Sequence, residues 1–122
     1  MKRKIKDIMF RGRTIENNQW VQGSLITVGE WAFIEYESST SGRICKEVQP
    51  DTVGMYTGLQ DKNGNYIFED DIVLVDGCIE EIVVFDMGCF SMSNLLTDYE
   101  WTYLMFKTME VVGNIHENFE SL

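Results

Sequence analysis

The sequence predicts a mainly β protein, and three observations support that fold class. Several short segments alternate apolar and polar residues with a period of two, as in EWAFIEYE at positions 30–37 and MEVVGNI at 109–115. Turn sequences rich in Gly, Asn, Asp and Ser separate these segments. One stretch alone has the spacing of a helix. Strands joined by short turns favour a meander of hairpins, so we expect a small all-β barrel or sandwich rather than alternating βαβ units.

Length and composition favour one domain. The chain has 122 residues, of which 44% are hydrophobic, and this suffices for one core, because a domain usually needs ~100 to 200 residues. The sole proline, Pro50, indicates a junction, because prolines and their preceding residues punctuate regular structure. We therefore expect a single domain over 1–122, with an N-terminal β portion at about 1–50 and a barrel-like portion at about 51–122.

The other elements follow from the same patterns. DIVLV at 71–75 and EEIVVFD at 80–86 predict strands, because β-branched and aromatic residues dominate them. SSTSGR after Tyr36 and the shorter sequences DKNGN, DG and DMG predict the turns. Apolar residues recur at helical spacing in Asn94–Phe106, so a helix capped by Asn94 is expected there, although a strand or loop fits its Thr and aromatic content nearly as well.

Charge is distributed unevenly along the chain. The net charge is −10, yet residues 1–13 carry six bases against Asp7, a local net charge of +5 that leaves −15 on the other 109 residues. An acidic body disfavours direct nucleic-acid binding, because such binding depends on Lys and Arg at phosphates. Such a function would then fall to the N-terminal segment. We expect that segment to be a solvated terminus that can also lie on the acidic surface of its own or a neighbouring chain.

Cysteines and the single histidine give no metal or disulfide framework. Cys45, Cys78 and Cys89 are odd in number and form no C-x-x-C pair, so we expect reduced thiols that pack as small buried hydrophobic residues. A thiolate and imidazole site would have to gather these cysteines and His116 from distant positions. No run approaches the ~18 apolar residues that a membrane helix needs, and the start lacks a clean signal-peptide pattern. A cytoplasmic protein is therefore expected.

The stretch from Asp61 to Gly64 is a turn rather than a calcium loop. An EF-hand loop counted from Asp61 needs Gly at the sixth position and Glu at the twelfth, but these positions hold Tyr66 and Ile72. DKNG instead matches a type I turn in which Gly64 takes a positive φ, a common hairpin connection. We predict a hairpin turn at 60–66 and a buried strand at 72–75.

Other catalytic and binding chemistry is weakly supported. Adjacent residues of an extended segment point to opposite faces, so Glu69 and Asp71 share a face while Asp70 does not, and we expect a solvated turn there rather than a metal site. A Cys or Ser nucleophile needs a histidine partner, and the only histidine is His116, near the C-terminus. The sequence contains no nucleophile elbow and no phosphate-binding glycine loop. We therefore expect no enzyme activity and no cofactor. Several aromatic residues could form a binding face but are expected mainly in the core: Trp20, Trp31, Tyr56, Tyr66, Phe68, Trp101 and Tyr103.

Three separated stretches together carry a family resemblance. IMFRG at 8–12, VGMYTGLQDKNGNYIFEDDIV at 53–73 and VVGNIHEN at 111–118 resemble, in order and spacing, the YopX family of small proteins encoded largely by phages and prophages. The resemblance covers nearly the whole chain. It implies a mostly β protein with an SH3-like barrel or roll, and it supplies no catalytic residue, cofactor or substrate.

The resemblance also identifies matched and departing positions. Asp70 stands where the family usually has Gly in E-G-D-I-V, and Asp tolerates a left-handed backbone better than most residues do. His116 stands where the family commonly has Tyr, which argues against a special role for this histidine. The matched residues are expected to be structural: Tyr56, Gly58, Asp61, Asn63, Gly64, Glu69, Asp71, Gly113 and Asn114.

Three functions remain open. The first is a non-catalytic interaction module that binds a host or phage protein through an edge strand or an aromatic face, with homo-oligomers also compatible. The second is an acidic nucleic-acid mimic that inhibits a nucleic-acid enzyme, and clustering of carboxylates on one continuous face would favour it. The third is nucleic-acid binding through the basic N-terminal segment.

Overall fold

A computed structural model of the protein describes residues 4–92 and 108–120, and the helix predicted at Asn94–Phe106 lies outside this described part. The chain divides into two compact units, Met1–Tyr56 and Thr57–Leu122.

The first unit is built from antiparallel strands and two 3₁₀ turns. The elements in chain order are a 3₁₀ turn at Ile5–Asp7, β1 at Phe10–Arg13, β2 at Trp20–Val28, β3 at Trp31–Ser38, β4 at Gly42–Val48, a 3₁₀ turn at Pro50–Thr52, and the first residues of β5 at Gly54–Gln60. The strand order is β4-β3-β2-β1-β5. Pro50 occupies the first turn of its 3₁₀ helix, where its missing N–H costs no hydrogen bond.

The sheet of the first unit curls toward itself. Thr14, just after β1, forms an isolated bridge with Val48 at the end of β4. Two glycines allow the strands to approach closely at the curl. A Cβ on Gly12 would lie 2.9 Å from the Val48 side chain, and one on Gly23 would collide with the Glu35 carbonyl oxygen. The curl therefore requires glycine at positions 12 and 23, where a larger side chain would collide with the neighbouring strand.

The inner side of this curl holds the first core. Ala32, Ile34 and Val48 are buried, and Ile34 and Val48 are fully so, at 0% exposure. Apolar side chains from the neighbouring elements pack against them: Phe10, Val21, Leu25, Tyr36 and Val53. These residues alternate along β2 and β3 with outward-facing ones, as period-two strands require.

The second unit contains the rest of β5 and a four-stranded sheet. Its further elements are β6 at Tyr66–Phe68, β7 at Asp71–Val75, β8 at Ile79–Asp86, β9 at Cys89–Met92, β10 at Met109–Asn114 and the short helix α1 at Ile115–Glu120. The four-stranded sheet has the order β10-β7-β8-β9, and β5 pairs with β6. Its core contains Ile67, Val73, Val75, Val83, Met92 and Met109, with Phe90 and Val111 packed against it.

The mainly β fold class and its central strands are confirmed. The predicted strands at 30–37, 71–75 and 80–86 correspond to β3, β7 and β8, and the hairpin turn falls between β5 and β6 as expected. Among the described residues the strands form two antiparallel sheets, and these do not close into a barrel. The strand predicted at 109–115 ends at Asn114 because the next residue begins α1.

The expectation that the cysteines are buried is wrong. The three cysteines are exposed rather than buried. Cys45 lies on the edge strand β4, Cys89 is the first residue of the edge strand β9, and Cys78 lies in the turn between β7 and β8, where side chains remain in solvent. Within the described residues, no helix has the length and apolar character needed to cross a bilayer.

Candidate functional site

Asp61 organises the turn that the sequence singled out. Its Oδ1 accepts hydrogen bonds from the backbone N–H groups of Asn63 at 2.9 Å and Asn65 at 2.8 Å, and its Oδ2 accepts one from Val111 at 2.9 Å. Burial by itself raises the pKa of Asp61, but these hydrogen bonds outweigh it and lower the pKa below the ordinary Asp value. The carboxylate therefore acts as a structural acceptor that fastens the β5–β6 turn to β10.

Gly64 has the backbone conformation that the turn sequence predicts. Its φ is +84° and its N–H donates to the Asp61 carbonyl at 3.0 Å. Gly58 also has a positive φ, of +89°, and a Cβ there would meet open space. Tyr56, the other matched residue of this strand, is buried and belongs to the first unit, where its N–H donates to the Met9 carbonyl.

The three acidic residues at 69–71 differ in burial. Asp71 is 1% exposed and its Oδ2 accepts the N–H of Phe68 at 2.7 Å, whereas Glu69 is half-buried. The expectation of a solvated turn is therefore wrong for Asp71, because this carboxylate caps the β6–β7 turn from inside. Among the described residues, no group of three or more His, Cys, Asp or Glu side chains is arranged to hold a metal ion.

Asn114 begins the helix and brings His116 toward the triplet. The Asn114 side chain accepts hydrogen bonds from the N–H groups of His116 at 3.0 Å and Glu117 at 3.1 Å, which is the geometry of an N-cap. Gly113 sits at a register irregularity in β10, opposite Ile72. The bend and the cap together direct His116 toward Asp70, whose Oδ2 lies 3.0 Å from its Nε2.

The aromatic residues divide between core and surface. Tyr56 and Phe68 are buried and Trp20 is half-buried, but Trp31 is 63% exposed and Tyr66 is 41% exposed. The expectation of a core position is therefore wrong for Trp31 and Tyr66. Trp101 and Tyr103 lie outside the described residues.

Trp31 belongs to an apolar surface on the outer side of the curled sheet. Ile26 pairs with Phe33 and Val28 pairs with Trp31 across the β2–β3 hairpin, so all four side chains share one face. Val28 is 58% exposed, Ile26 is 38% exposed and Phe33 is half-buried. These four residues are called the hairpin face below. The alternating residues Ala32 and Ile34 point into the core.

Glutamates surround the hairpin face. Glu30 lies at the hairpin tip, and Glu35 and Glu37 follow Phe33 on the outer side of β3. Glu47, on the edge strand β4, pairs with Phe33. Arg43 forms an ion pair with Glu35 at 2.6 Å, and the bond to Glu35, with a smaller contribution from Glu37, raises the Arg43 pKa above its ordinary value. The four apolar residues of the hairpin face thus have four glutamates and one arginine around them.

A polar cleft of about 520 Å³ lies elsewhere in the first unit. Trp20, Tyr36 and Lys46 line it together with polar residues of the β1–β2 connection. Arg11 and Arg13 stack on Trp20, with guanidinium carbons 4.9 and 5.9 Å from the ring centroid, so this tryptophan is already in contact with two cations. Lys46 lies 3.1 Å from the Glu16 carboxylate. The cleft therefore offers less unpartnered apolar surface than the hairpin face does.

Comparison with known proteins identifies the family. No curated protein sequence matches the chain. Among solved structures, the fold is similar to that of protein EF1440 from Enterococcus faecalis, with a TM-score of 0.61 and 22% sequence identity over 94% of this chain and 97% of that one. The model of the YopX family, described as YopX protein, matches residues 9–122. This protein therefore belongs to the YopX family.

Proposed function

We propose that this YopX family member is a non-catalytic protein-interaction module that docks a partner protein on the hairpin face. The observation that carries the proposal is the exposure of Val28 and Trp31 as a cross-strand pair on a well-paired antiparallel hairpin. Exposed apolar clusters rimmed by polar residues are typical of docking surfaces. A tryptophan on a regular strand also loses little conformational entropy on binding, which suits it to anchor an interface.

The distribution of carboxylates favours this function over mimicry of a nucleic acid. A mimic needs its negative charges on one continuous surface. Three acidic side chains of the second unit are instead buried and add no charge to its surface, because Asp61, Asp71 and Glu81 are 6% exposed or less. The glutamates of the first unit flank apolar residues rather than forming an unbroken acidic row. Mimicry and binding through the basic N-terminal segment remain the competing functions.

The family resemblance makes a host or phage protein the expected partner, and a binding experiment tests the proposal. The intact chain is used as bait in extract of a bacterial host, beside a Trp31→Ser variant. Met87→Ser is the matched control, because Met87 is 95% exposed but lies in the second unit. We expect a stoichiometric partner that Trp31→Ser loses and Met87→Ser retains.

The size of the effect is also testable once the partner is purified. Truncating an aromatic anchor of an interface typically costs about 2 kcal/mol or more, which is roughly a 30-fold rise in Kd. Equal affinity for the intact chain and the Trp31→Ser variant would contradict docking on the hairpin face.

A further inference from the structure

Charge complementarity within the first unit indicates what the hairpin face can bind. Around the hairpin face lie Glu30, Glu35, Glu37 and Glu47 with Arg43, so its apolar residues lie in a negative surrounding. A partner segment of apolar side chains flanked by lysine or arginine complements such a surface. The chain contains a segment of this composition at its own start, MKRKIKDI at 1–8.

The described part of that segment is exposed. Ile5 is 85% exposed and Ile8 is 51% exposed, and the neighbouring Lys4 and Lys6 are exposed as well. The segment adopts a 3₁₀ turn at Ile5–Asp7 and is anchored where the Met9 carbonyl accepts the N–H of Tyr56 at 2.9 Å. The side chains of Ile5 and Ile8 therefore remain exposed within a single chain, and burial of isoleucine side chains is favourable.

We propose that the hairpin face of one copy receives the N-terminal segment, residues 1–8, of a second copy. In this contact Ile5 and Ile8 cover the hairpin face, while the lysines meet the surrounding glutamates. The inference rests on the proposed function, because both need the hairpin face to be a docking surface. Each copy offers one segment and one face, so a reciprocal exchange closes as a symmetric dimer.

The contact combines burial of apolar side chains with exposed ion pairs. Burial of the apolar side chains supplies attraction at any salt concentration, while the exposed ion pairs contribute little each and are weakened by salt. The assembly is consequently expected to weaken with ionic strength without vanishing.

Sedimentation velocity on the purified full-length chain tests the contact. We expect a concentration-dependent dimer at low ionic strength and a smaller dimer fraction at ~0.15 M salt. Trp31→Ser should abolish the dimer, and Met87→Ser should leave it unchanged. A chain that sediments as a monomer under all these conditions, or a dimer that Trp31→Ser leaves intact, would overturn the inference.

A charge-exchange experiment separates the contact from damage to the fold. One variant carries Lys4→Glu and Lys6→Glu, and the other carries Glu37→Lys and Glu47→Lys, all at exposed positions. Each variant alone should dimerise at least ~10-fold more weakly, because like charges face each other. Mixing the two variants restores opposite charges at both contacts and should restore dimers. Mixed variants that remain monomeric would contradict the pairing of segment and face.

The outcome distinguishes this inference from the proposed function. If the chain is monomeric but extract yields a partner that depends on Trp31, the hairpin face docks another protein and the exchange between copies is wrong. If the chain dimerises as described but no partner is captured, the function of the face is self-association. If the chain neither dimerises nor captures a partner, the hairpin face is not a docking surface.

Discussion

Asp70 Oδ2 lies 3.0 Å from His116 Nε2, so the two positions at which this chain departs from the YopX pattern contact each other. Both side chains are largely buried, at 21% and 15% exposure. The Asp70 carbonyl also accepts the N–H of Ile115, so this pair and a backbone bond join the start of β7 to α1. An aspartate at a position with a φ of +74° thus obtains a partner that glycine would lack.

A double-mutant cycle measures this pair. Asp70→Gly removes the carboxylate and also relieves the positive φ, which glycine adopts readily. His116→Tyr restores the residue common in the family. We expect a coupling free energy of about 1 kcal/mol from denaturant unfolding of the wild type, both single variants and the double variant. Additivity within ~0.3 kcal/mol would show that the contact contributes nothing to stability.

Asp61 predicts how stability depends on pH. The folded state lowers the Asp61 pKa below its ordinary value of 3.8, so the stability that the carboxylate contributes is fully present above that value. It is lost as the pH falls through the folded pKa, because protonation removes the charged acceptor from three backbone N–H groups.

Thermal unfolding of the Asp61→Asn variant between neutral and acid pH checks this prediction. We expect the variant to lose about 2 kcal/mol of unfolding free energy at pH ~7, because hydrogen bonds to a charged acceptor are stronger than those to a neutral one. Its stability should also fall less steeply than that of the wild type as the pH is lowered. Asp51→Asn, at an exposed site, serves as the control. A wild-type acid decline that Asp61→Asn reproduces unchanged would contradict the assignment.

Replacing Gly64 should destabilise the fold through backbone strain alone. Its φ is +84°, and a Cβ there would have no neighbour closer than Gln60 Oε1 at 4.0 Å. Gly64→Val should therefore lower stability by ~1 kcal/mol or more, because β-branched residues resist positive φ. Gly64→Asn, which tolerates this conformation, should cost less. Equal melting temperatures for the valine variant and the wild type would disprove the turn assignment.

Divalent cations are expected to leave the melting temperature unchanged. The Asp61 oxygens and Asp71 Oδ2 already accept backbone N–H groups, so binding a cation would break bonds that hold the turns. Specific binding to the native state at 100 times Kd would add roughly 2.7 kcal/mol, which melting curves in calcium, magnesium or zinc would reveal. A saturable increase that Asp71→Asn abolishes would establish a metal site.

Nucleic-acid binding is expected to be absent. Titrations with DNA and RNA at low and physiological salt compare the intact chain with a variant in which Lys2, Arg3, Lys4 and Lys6 are changed to Gln. Phosphate contacts would give affinity that falls steeply with salt. Micromolar affinity of the intact chain at physiological salt, lost in the Gln variant, would replace the interaction module with a nucleic-acid function.

Local sequence determined the strands and the turn at 61–65. The β-branched residues of DIVLV specified a strand, and β7 forms there, although the apolar run did not show that Val73 and Val75 are the buried ones. Asp61 and Gly64 specified the turn because an Asx acceptor and a positive φ act over a few neighbouring residues. The family motifs also identified Asp61 and Gly64 as structural residues, although they did not show that Asp71 is buried.

Tertiary structure alone decided which distant groups meet and which face remains exposed. Asp61 and Val111 are separated by 50 residues and Asp70 and His116 by 46, so no local pattern could pair them. In WAFI at 31–34 every residue is apolar, so these four residues by themselves do not mark an inner and an outer face. Glu35 and Glu37 indicate the outer side, but only the structure shows how far Trp31 is left uncovered there. Ala32 and Ile34 lie in the core with Val48, which closely approaches Gly12, whereas Trp31 on the opposite side of β3 is 63% exposed.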